Sequence, residues 1–471
     1  MRGFTAPRLG PGAVHFQPFD ALFRRHPDLI RVAEIEPSSA WIKAPGDEGA
    51  IRSNGDALDR AADLPQAKLV HGIGWPVGGT VCADGGAWAE QKRWADRLDA
   101  PWTSEHLSFN DSVAGAAGFL MPPPQTEAGV AVAAANIRAR TQALSRPFAF
   151  ETGVSYLPPR AGEMPDGEYF AAVAEEADCL ILLDLHNLWA NARNGREPAE
   201  RVLAALPAQR VVELHLAGGM AKDGFWLDAH SGAVAPDLLD LARDLVSGLP
   251  NVGAVLFEIS PQFFDTLGEA GFLRQIEAMH DLWERTGSRP AGVAARRAPC
   301  AAAAGDSVSA YEQALVRSLA APAEPGEPPA IALYRSLIAS FRNGALADLM
   351  PHTLSLLARA LGEAALEGLL ADYRGAAPPR LFPADEALAF AGWLAANGPR
   401  LLYLDDLVAL ESGIVRLASQ GCDGELRFRH DPSAIVDALA AGGLPEALPE
   451  GDYRLLLRAE ANSLLPKQAP A

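Results

Sequence analysis

The chain has 471 residues, with 40 Lys and Arg against 59 Asp and Glu, a formal net charge of −19 and a sequence pI near 5.0. Such an acidic surplus argues against a nucleic-acid binder, because phosphate contacts need a basic face, and 49% hydrophobic against 21% charged residues excludes global disorder. The apolar runs fall short of the ~18 residues a membrane helix needs, and the start, MRGFTAPRLGPG, carries no apolar signal-peptide segment.

The first 285 residues alternate short apolar runs with Ala/Leu/Arg-rich stretches. Eight strands are predicted: 13–16, 29–36, 67–72, 102–107, 147–151, 180–185, 210–216 and 254–259. Helices are predicted between them, among others over 88–98, 127–144, 167–177 and 235–247. Eight βα units in under 300 residues point to a TIM (β/α)8 barrel over 1–285. An open doubly wound sheet is the competing architecture, but the first βα turn has no G-x-G-x-x-G. Residues 286–306 lack apolar periodicity and read as a linker. From 307 to 471 a mostly helical C-terminal domain is expected, with a helix at 307–320, a break at 322–329 and helices to about 420. A small β-containing tail follows, with strands at 424–430 and 452–460.

Chemistry-bearing residues gather at the ends of the predicted strands. His71 ends the third, Glu105 and His106 the fourth, Glu151 the fifth and Asp184 the sixth. His215 lies near the end of the seventh, Asp228 and His230 follow in its loop, and Glu258 ends the eighth. In a barrel all these ends open on one face. With Asn187 as a neutral oxygen donor, five carboxylates or carboxamides and four histidines would share one mouth. Such a group resists desolvation unless a cation binds it. Each residue alone has a plainer role, a strand-end acid as a helix cap or a buried His as packing; the repetition over strands three to eight favours metal. Imidazole and carboxylate without thiolate suit iron, manganese or zinc, and nine donors exceed what a single ion takes, so two or three ions are expected. Glu34 and Glu36 are candidate acids outside the ligand set, and His186 either lines the substrate site or points elsewhere.

The four cysteines, Cys82, Cys179, Cys300 and Cys422, form no CxxC pair. They are read as ordinary residues of a reduced, cytoplasmic protein. His15, His26, His280, His352 and His430 have no partners in sequence and are read as structural or exposed.

The pieces His71-Gly72, Ser104-Glu105-His106-Leu107, Glu151, Leu182 to Leu188, His215-Leu216-Ala217-Gly218, Asp228-Ala229-His230 and Glu258 resemble, in order, the multinuclear non-haem iron-dependent oxidative enzymes of ribosomal peptide modification, as in methanobactin biosynthesis. The resemblance covers about residues 8–285. It implies a TIM barrel holding two or three irons of mixed Fe2+/Fe3+ valence, ligated by His71, His106, Glu151, Asp184, Asn187, His215, Asp228, His230 and Glu258, with catalysis placed on Asp184, His215 and Asp228. It also implies O2 as co-substrate and a cysteine-containing precursor peptide whose thiolate meets one iron while O2 meets another, hydrogen being taken from the cysteine Cβ. Two departures stand out: Thr152 where the family often has Asn, and Gly219 where it often has His. Residues 307–460 resemble the family's partner protein, which typically binds the precursor's leader and here would be fused in cis. The alternatives from the residues alone are a divalent-metal hydrolase or isomerase on a similar barrel, and a non-catalytic metal- or peptide-binding adaptor.

Overall fold

The computed structural model describes residues 3–43, 51–53, 56–82, 85–289, 305–322, 325–421 and 423–458. Eight strands form a closed parallel barrel: β1 (Gly10–His15), β2 (Val32–Ile35), β3 (Ala67–Gly72), β4 (Thr103–His106), β5 (Phe148–Glu151), β6 (Leu180–Asp184), β7 (Val211–Ala217) and β8 (Ala254–Glu258). Each pairs with the next in sequence, and β8 closes on β1 through Gly10↔Ala254 to Ala13↔Phe257. The strands are short and apolar because helices cover them outside and side chains fill them inside. β1 starts earlier than the residue pattern suggests, since Gly10 and Pro11 take their place beside β8.

The predicted helices are present, including Gly85–Arg97, Glu127–Leu144, Asp166–Ala177 and Pro236–Leu245. Three antiparallel hairpins add to the loops beyond the strand ends, at Trp41–Lys43 with Ile51–Ser53, Phe109–Ser112 with Gly115–Met121, and Met220–Lys222 with Phe225–Leu227. They were not expected; five of the six strands have three or four residues, too few to show alternation, and the seven-residue Gly115–Met121 has glycine and alanine at its first four positions, a weak strand signal.

Side chains on one strand face inward at every second position. Leu69 and His71, Ala149 and Glu151, Leu182 and Asp184, Leu256 and Glu258, and Val32 and Glu34 are five such pairs. The first member of each belongs to a buried apolar cluster around Trp102, and the second lies further toward the mouth. In β7 the register against β6 shifts, Ile181 facing Val211 but Leu182 facing Glu213. This bulge re-aims the strand, so that Val212 joins the apolar cluster while Glu213 reaches Trp102 Nε1 at 2.8 Å.

Of the expected linker, residues 290–304 lie outside the described residues. Helix Gly305–Ala320 and the start of helix Pro329–Leu349 pack on the barrel's loops: Leu315, Val316, Leu319, Ile331, Leu333 and Tyr334 share one apolar cluster with Phe109, Met121, Tyr156 and Leu227. Helices Pro351–Leu361, Glu363–Ala376, Pro383–Asn397 and Leu404–Gln420 enclose a second core around Leu357, Tyr373, Phe390 and Leu407. Within it Arg342 Nε donates to Glu386 at 2.6 Å, both side chains buried. The tail hairpin is Gly424–Phe428 with Tyr453–Leu457; residues from 459 on lie outside the described residues. No described helix is long and apolar enough to cross a membrane.

Candidate metal centre

The ends of β2 to β8 converge on one cluster, and its residues fall into two groups. In the first, His71 Nε2 and His106 Nε2 lie 3.2 and 3.3 Å from the same atom, Glu151 Oε2, and the two imidazole rings are 4.8 Å apart. The remaining nitrogens are committed elsewhere. His71 Nδ1 is 2.9 Å from the Ser104 hydroxyl, and His106 Nδ1 is 3.2 Å from Glu105 Oε1. Both rings therefore present Nε2 to Glu151.

In the second group, His215 Nδ1 lies 3.0 Å from Glu258 Oε1 and its Nε2 3.1 Å from Glu34 Oε1. His230 Nε2 lies 3.1 Å from Asp228 Oδ1 and 3.4 Å from Glu258 Oε2. Glu258 thus joins the loop pair to the barrel interior, and the His71 and His215 rings, 5.8 Å apart, bring the two groups side by side. His230 reaches the cluster with φ +48°, a left-handed conformation that costs an L-residue about 1 kcal/mol. Asp184 closes β6 and caps the helix that follows, its Oδ1 accepting from Asn187 N at 3.0 Å. This is the helix-cap role a strand-end acid often has, but it occupies one oxygen only.

Several of these atoms approach one another without the angles of a hydrogen bond. Glu151 Oε2, Asp184 Oδ2, Asn187 Oδ1, Asp228 Oδ1, Glu258 Oε2, both Glu34 oxygens and both His215 nitrogens are buried with no hydrogen-bond partner among the described residues. Buried polar atoms are rarely left so, and here lone pairs from different strands aim into the same small region. Within 4.8 Å of one another stand one donor atom each from His71, His106 and Glu151, and likewise from Glu34, His215 and Glu258.

Charge follows the same crowding. Burial opposes the His71 imidazolium, yet the Glu34 and Glu151 carboxylates raise it to about 10. Burial likewise works against ionised Glu151, but His106 and His71 pull it down to about 2. Glu34 is pushed by burial up to about 8 despite His215. Asp184 is raised well above the carboxylate range, first by burial and then by Asp228, Glu258 and Glu151. Without a metal, protons must balance this site: some on imidazoles, others on carboxyls.

Eight of the nine residues carried over as ligand candidates lie at the strand ends or in the loop after β7, and seven of them form the two groups, with Asp184 feeling the charges of Asp228, Glu258 and Glu151; Asn187 stands in the helix one turn behind Asp184 and also reaches the Thr152 carbonyl at 3.4 Å. Thr152 itself holds Asp184, its hydroxyl accepting from Asp184 N at 3.0 Å. His186 is buried with Nδ1 3.2 Å from Asp228 Oδ1 and Nε2 accepting from Trp226 Nε1 at 3.2 Å. That packing explains Gly219: a Cβ there would stand 2.3 Å from Trp226 Nε1 and 2.6 Å from His186 Nε2. Glu36 is raised by burial, with His71 and His230 opposing.

Two supports were not legible as such. Arg140, 1% exposed, donates to Glu105 Oε2 at 3.2 Å and to the Trp75 carbonyl at 3.1 Å. It thereby holds the carboxylate that orients His106, an arrangement that tunes metal ligands. A sequence signal existed: Arg140 sits on the apolar stripe Ala133, Ile137, Leu144 of its helix. Glu213 was hidden by the bulge in β7. Among the remaining histidines, His15 pairs with Asp20 at 2.7 Å, His26 with Glu269 at 3.1 Å, His280 with the Leu29 carbonyl at 2.8 Å and His430 with Asp406 at 2.8 Å. Cys179 is buried and Cys82 half-buried, while Cys300 and Cys422 lie outside the described residues.

Comparison with known proteins bears on the same stretch. A family profile described as RiPP precursor modification enzyme MbnB/TglH/ChrH matches residues 23–277. A UPF0276 protein of Chromobacterium violaceum is 34% identical over 222 residues, 47% of this chain and 80% of that relative. A UPF0276 protein of Streptomyces avermitilis is 28% identical over 271 residues, 56% of this chain and 55% of the other, so the chain spans about half the length of that relative. Among solved structures, a xylose isomerase domain containing protein from Salmonella typhimurium LT2 aligns at 14% identity and TM-score 0.39, over 60% of this chain and 100% of that one. The profile match takes in β2 to β8 with their donors and covers more than half of the chain: it belongs to the MbnB/TglH/ChrH family of RiPP precursor modification enzymes.

Proposed function

We propose that this protein is an iron- and O2-dependent oxidase that modifies cysteine residues of a ribosomally made precursor peptide, with residues 307–471 holding the peptide's leader. The observation that carries the reading is the pair of donor sets, His71–His106–Glu151 beside Glu34–His215–Glu258, whose buried lone pairs lack hydrogen-bond partners among the described residues. Two imidazoles and one carboxylate with room for further ligands is the set that non-haem iron(II) oxygenases use. His71, His106 and Glu151 would hold one ion. His215, Glu258, Asp228 and His230 would hold another, and Asp184 and Asn187, each with a buried oxygen that lacks a hydrogen-bond partner among the described residues, would complete the sites.

When bound, the irons supply redox chemistry on the thiol and O2. The protein supplies order and protons. Ser104 and the Glu105–Arg140 pair fix the tautomers of His71 and His106, so each offers Nε2. Glu34, which the four ligands of the second ion leave unligated, is pushed by burial up to about 8 and stands 3.1 Å from His215 Nε2 as a buried site for a proton. Trp75, whose backbone N–H donates to Glu105 Oε2 at 3.3 Å, is in ring contact with Trp41 and Phe382 at 5.2 and 6.2 Å, and this aromatic group would meet the apolar side chains around a peptide cysteine.

The test is the full chain produced aerobically with iron supplied and co-expressed with a short cysteine-containing peptide from a neighbouring reading frame. At least one iron per chain and a mass loss or gain confined to the cysteine region are expected. Less than one iron per chain, with metal content unaffected by His215→Ala or Asp228→Ala, would overturn the reading.

A further inference from the structure

The loop that carries Asp228 and His230 is built from two sides. Trp226 is pinned from the barrel: its N–H donates to Asn194 Oδ1 at 2.8 Å, and its carbonyl accepts from Asn194 Nδ2 at 2.9 Å. Two residues on, the anchor changes. Asp228 N donates to the Tyr156 hydroxyl at 3.2 Å, and Tyr156 N in turn donates to the hydroxyl of Tyr334, on helix Pro329–Leu349. The two tyrosine rings are 5.3 Å apart, and both side chains are buried. Alternate residues of the loop, Phe225, Leu227 and Ala229, join the apolar cluster that Leu315 and Ile331 share with Tyr334. Asp228 turns instead to His186 and His230, and His230 to Glu258.

We infer that Tyr156 and Tyr334 are positioning residues that couple the C-terminal helices to the metal centre by fixing the backbone of Asp228. The inference rests on the metal reading above for its consequence, although the tether itself does not. Beyond Asp228 the loop is tied through its backbone, the His230 carbonyl accepting from Ser260 N at 3.0 Å and Ser231 N donating to Gly218 O at 2.8 Å. Between those ties and Trp226, the Tyr156 hydroxyl and the apolar face hold the backbone of Asp228, whose carboxylate meets His230, itself in a left-handed conformation. The C-terminal segment is then part of the scaffold of the site as well as a peptide holder. A precursor that shifts helix Pro329–Leu349 would act on Asp228 through two hydroxyl groups.

The experiment uses the full chain with Tyr156→Phe, Tyr334→Phe and, as a control, Glu312→Gln. Glu312 joins the neighbouring helix Gly305–Ala320 to Thr80 N at 2.8 Å, on a different loop. Amide hydrogen exchange over 225–231 is measured together with titration of cobalt(II), whose visible bands report the donor set. Tyr156→Phe is expected to speed exchange in that segment and weaken cobalt(II) binding about 3- to 10-fold with altered bands, as loss of one hydrogen bond should. Tyr334→Phe should do the same to a smaller degree, and Glu312→Gln neither. Wild-type exchange and binding in Tyr156→Phe would overturn the inference, as would Glu312→Gln matching Tyr334→Phe. A wild-type chain that takes up no metal would defeat the metal reading alone, since exchange over 225–231 still judges the tether.

Discussion

The two ends of the barrel interior are made by the same strands, two residues apart, and they are opposites. At the lower end Leu69, Ala149, Leu182 and Leu256 close around Trp102 in an apolar plug. At the mouth the next inward residues are His71, Glu151, Asp184 and Glu258. The lower layer stabilises the fold by burying apolar area. The upper layer buries charge that repels itself, and it is tolerated because protons or a cation balance it. Stability and chemistry are thus separated by one pleat of each strand.

Substitutions should respect that division. Asp184→Asn is the sharpest test, because burial and neighbouring carboxylates already favour its neutral form in the metal-free chain. It should leave the metal-free melting temperature unchanged or higher, while metal content and peptide modification fall about 100-fold or more. Equal loss of stability and metal would erase the contrast. Leu182→Ala, one pleat below, should cost about 2–5 kcal/mol in denaturant unfolding yet retain its metal at saturating concentration. Arg140→Met, which keeps bulk but frees Glu105, should weaken metal binding about 10-fold in a competition titration, with the loss falling on the His71–His106–Glu151 set.

The last contrast is in pH dependence, a loss in the metal-free chain that bound metal offsets. His71 is raised from 6.5 to about 10, so its stabilising contribution is complete below pH 6.5 and is lost as pH rises through about 10. Glu151, lowered from 4.5 to about 2, contributes above pH 4.5 and loses this as pH falls through about 2. The metal-free chain should therefore lose melting temperature between pH 6.5 and 10. Metal needs deprotonated ligands, so its affinity should rise over that same window and cancel the loss. Parallel thermal melts with and without added iron would show whether the curves diverge.

The barrel and most of the mouth were legible because strands three to eight carry an ionisable residue at or near their ends after an apolar run. Strand-end position alone brings His71, Glu151, Asp184 and Glu258 to one face, whatever the details of packing. What escaped depended on geometry that no local pattern carries. Glu213 turns inward only because of the register shift in β7. Arg140 acts across 35 residues on Glu105 and looks in sequence like any helix arginine until its apolar neighbours are noticed. Glu34, left among the outer acids in sequence, lies 3.1 Å from His215. Two of the hairpins were invisible for want of length, and the third because its longer strand, Gly115–Met121, opens on glycine and alanine.

Gly219 has a consequence for how this site is built. Its missing side chain makes room for Trp226 and His186, and any Cβ would also stand 2.5 Å from the Leu227 carbonyl. A side chain at 219 would thus meet backbone as well as the indole, and a smaller residue at 226 alone does not make room for it. Any residue larger than glycine there requires the hairpin itself to move, so position 219 sets how closely the strand leading to Asp228 can lie on His186.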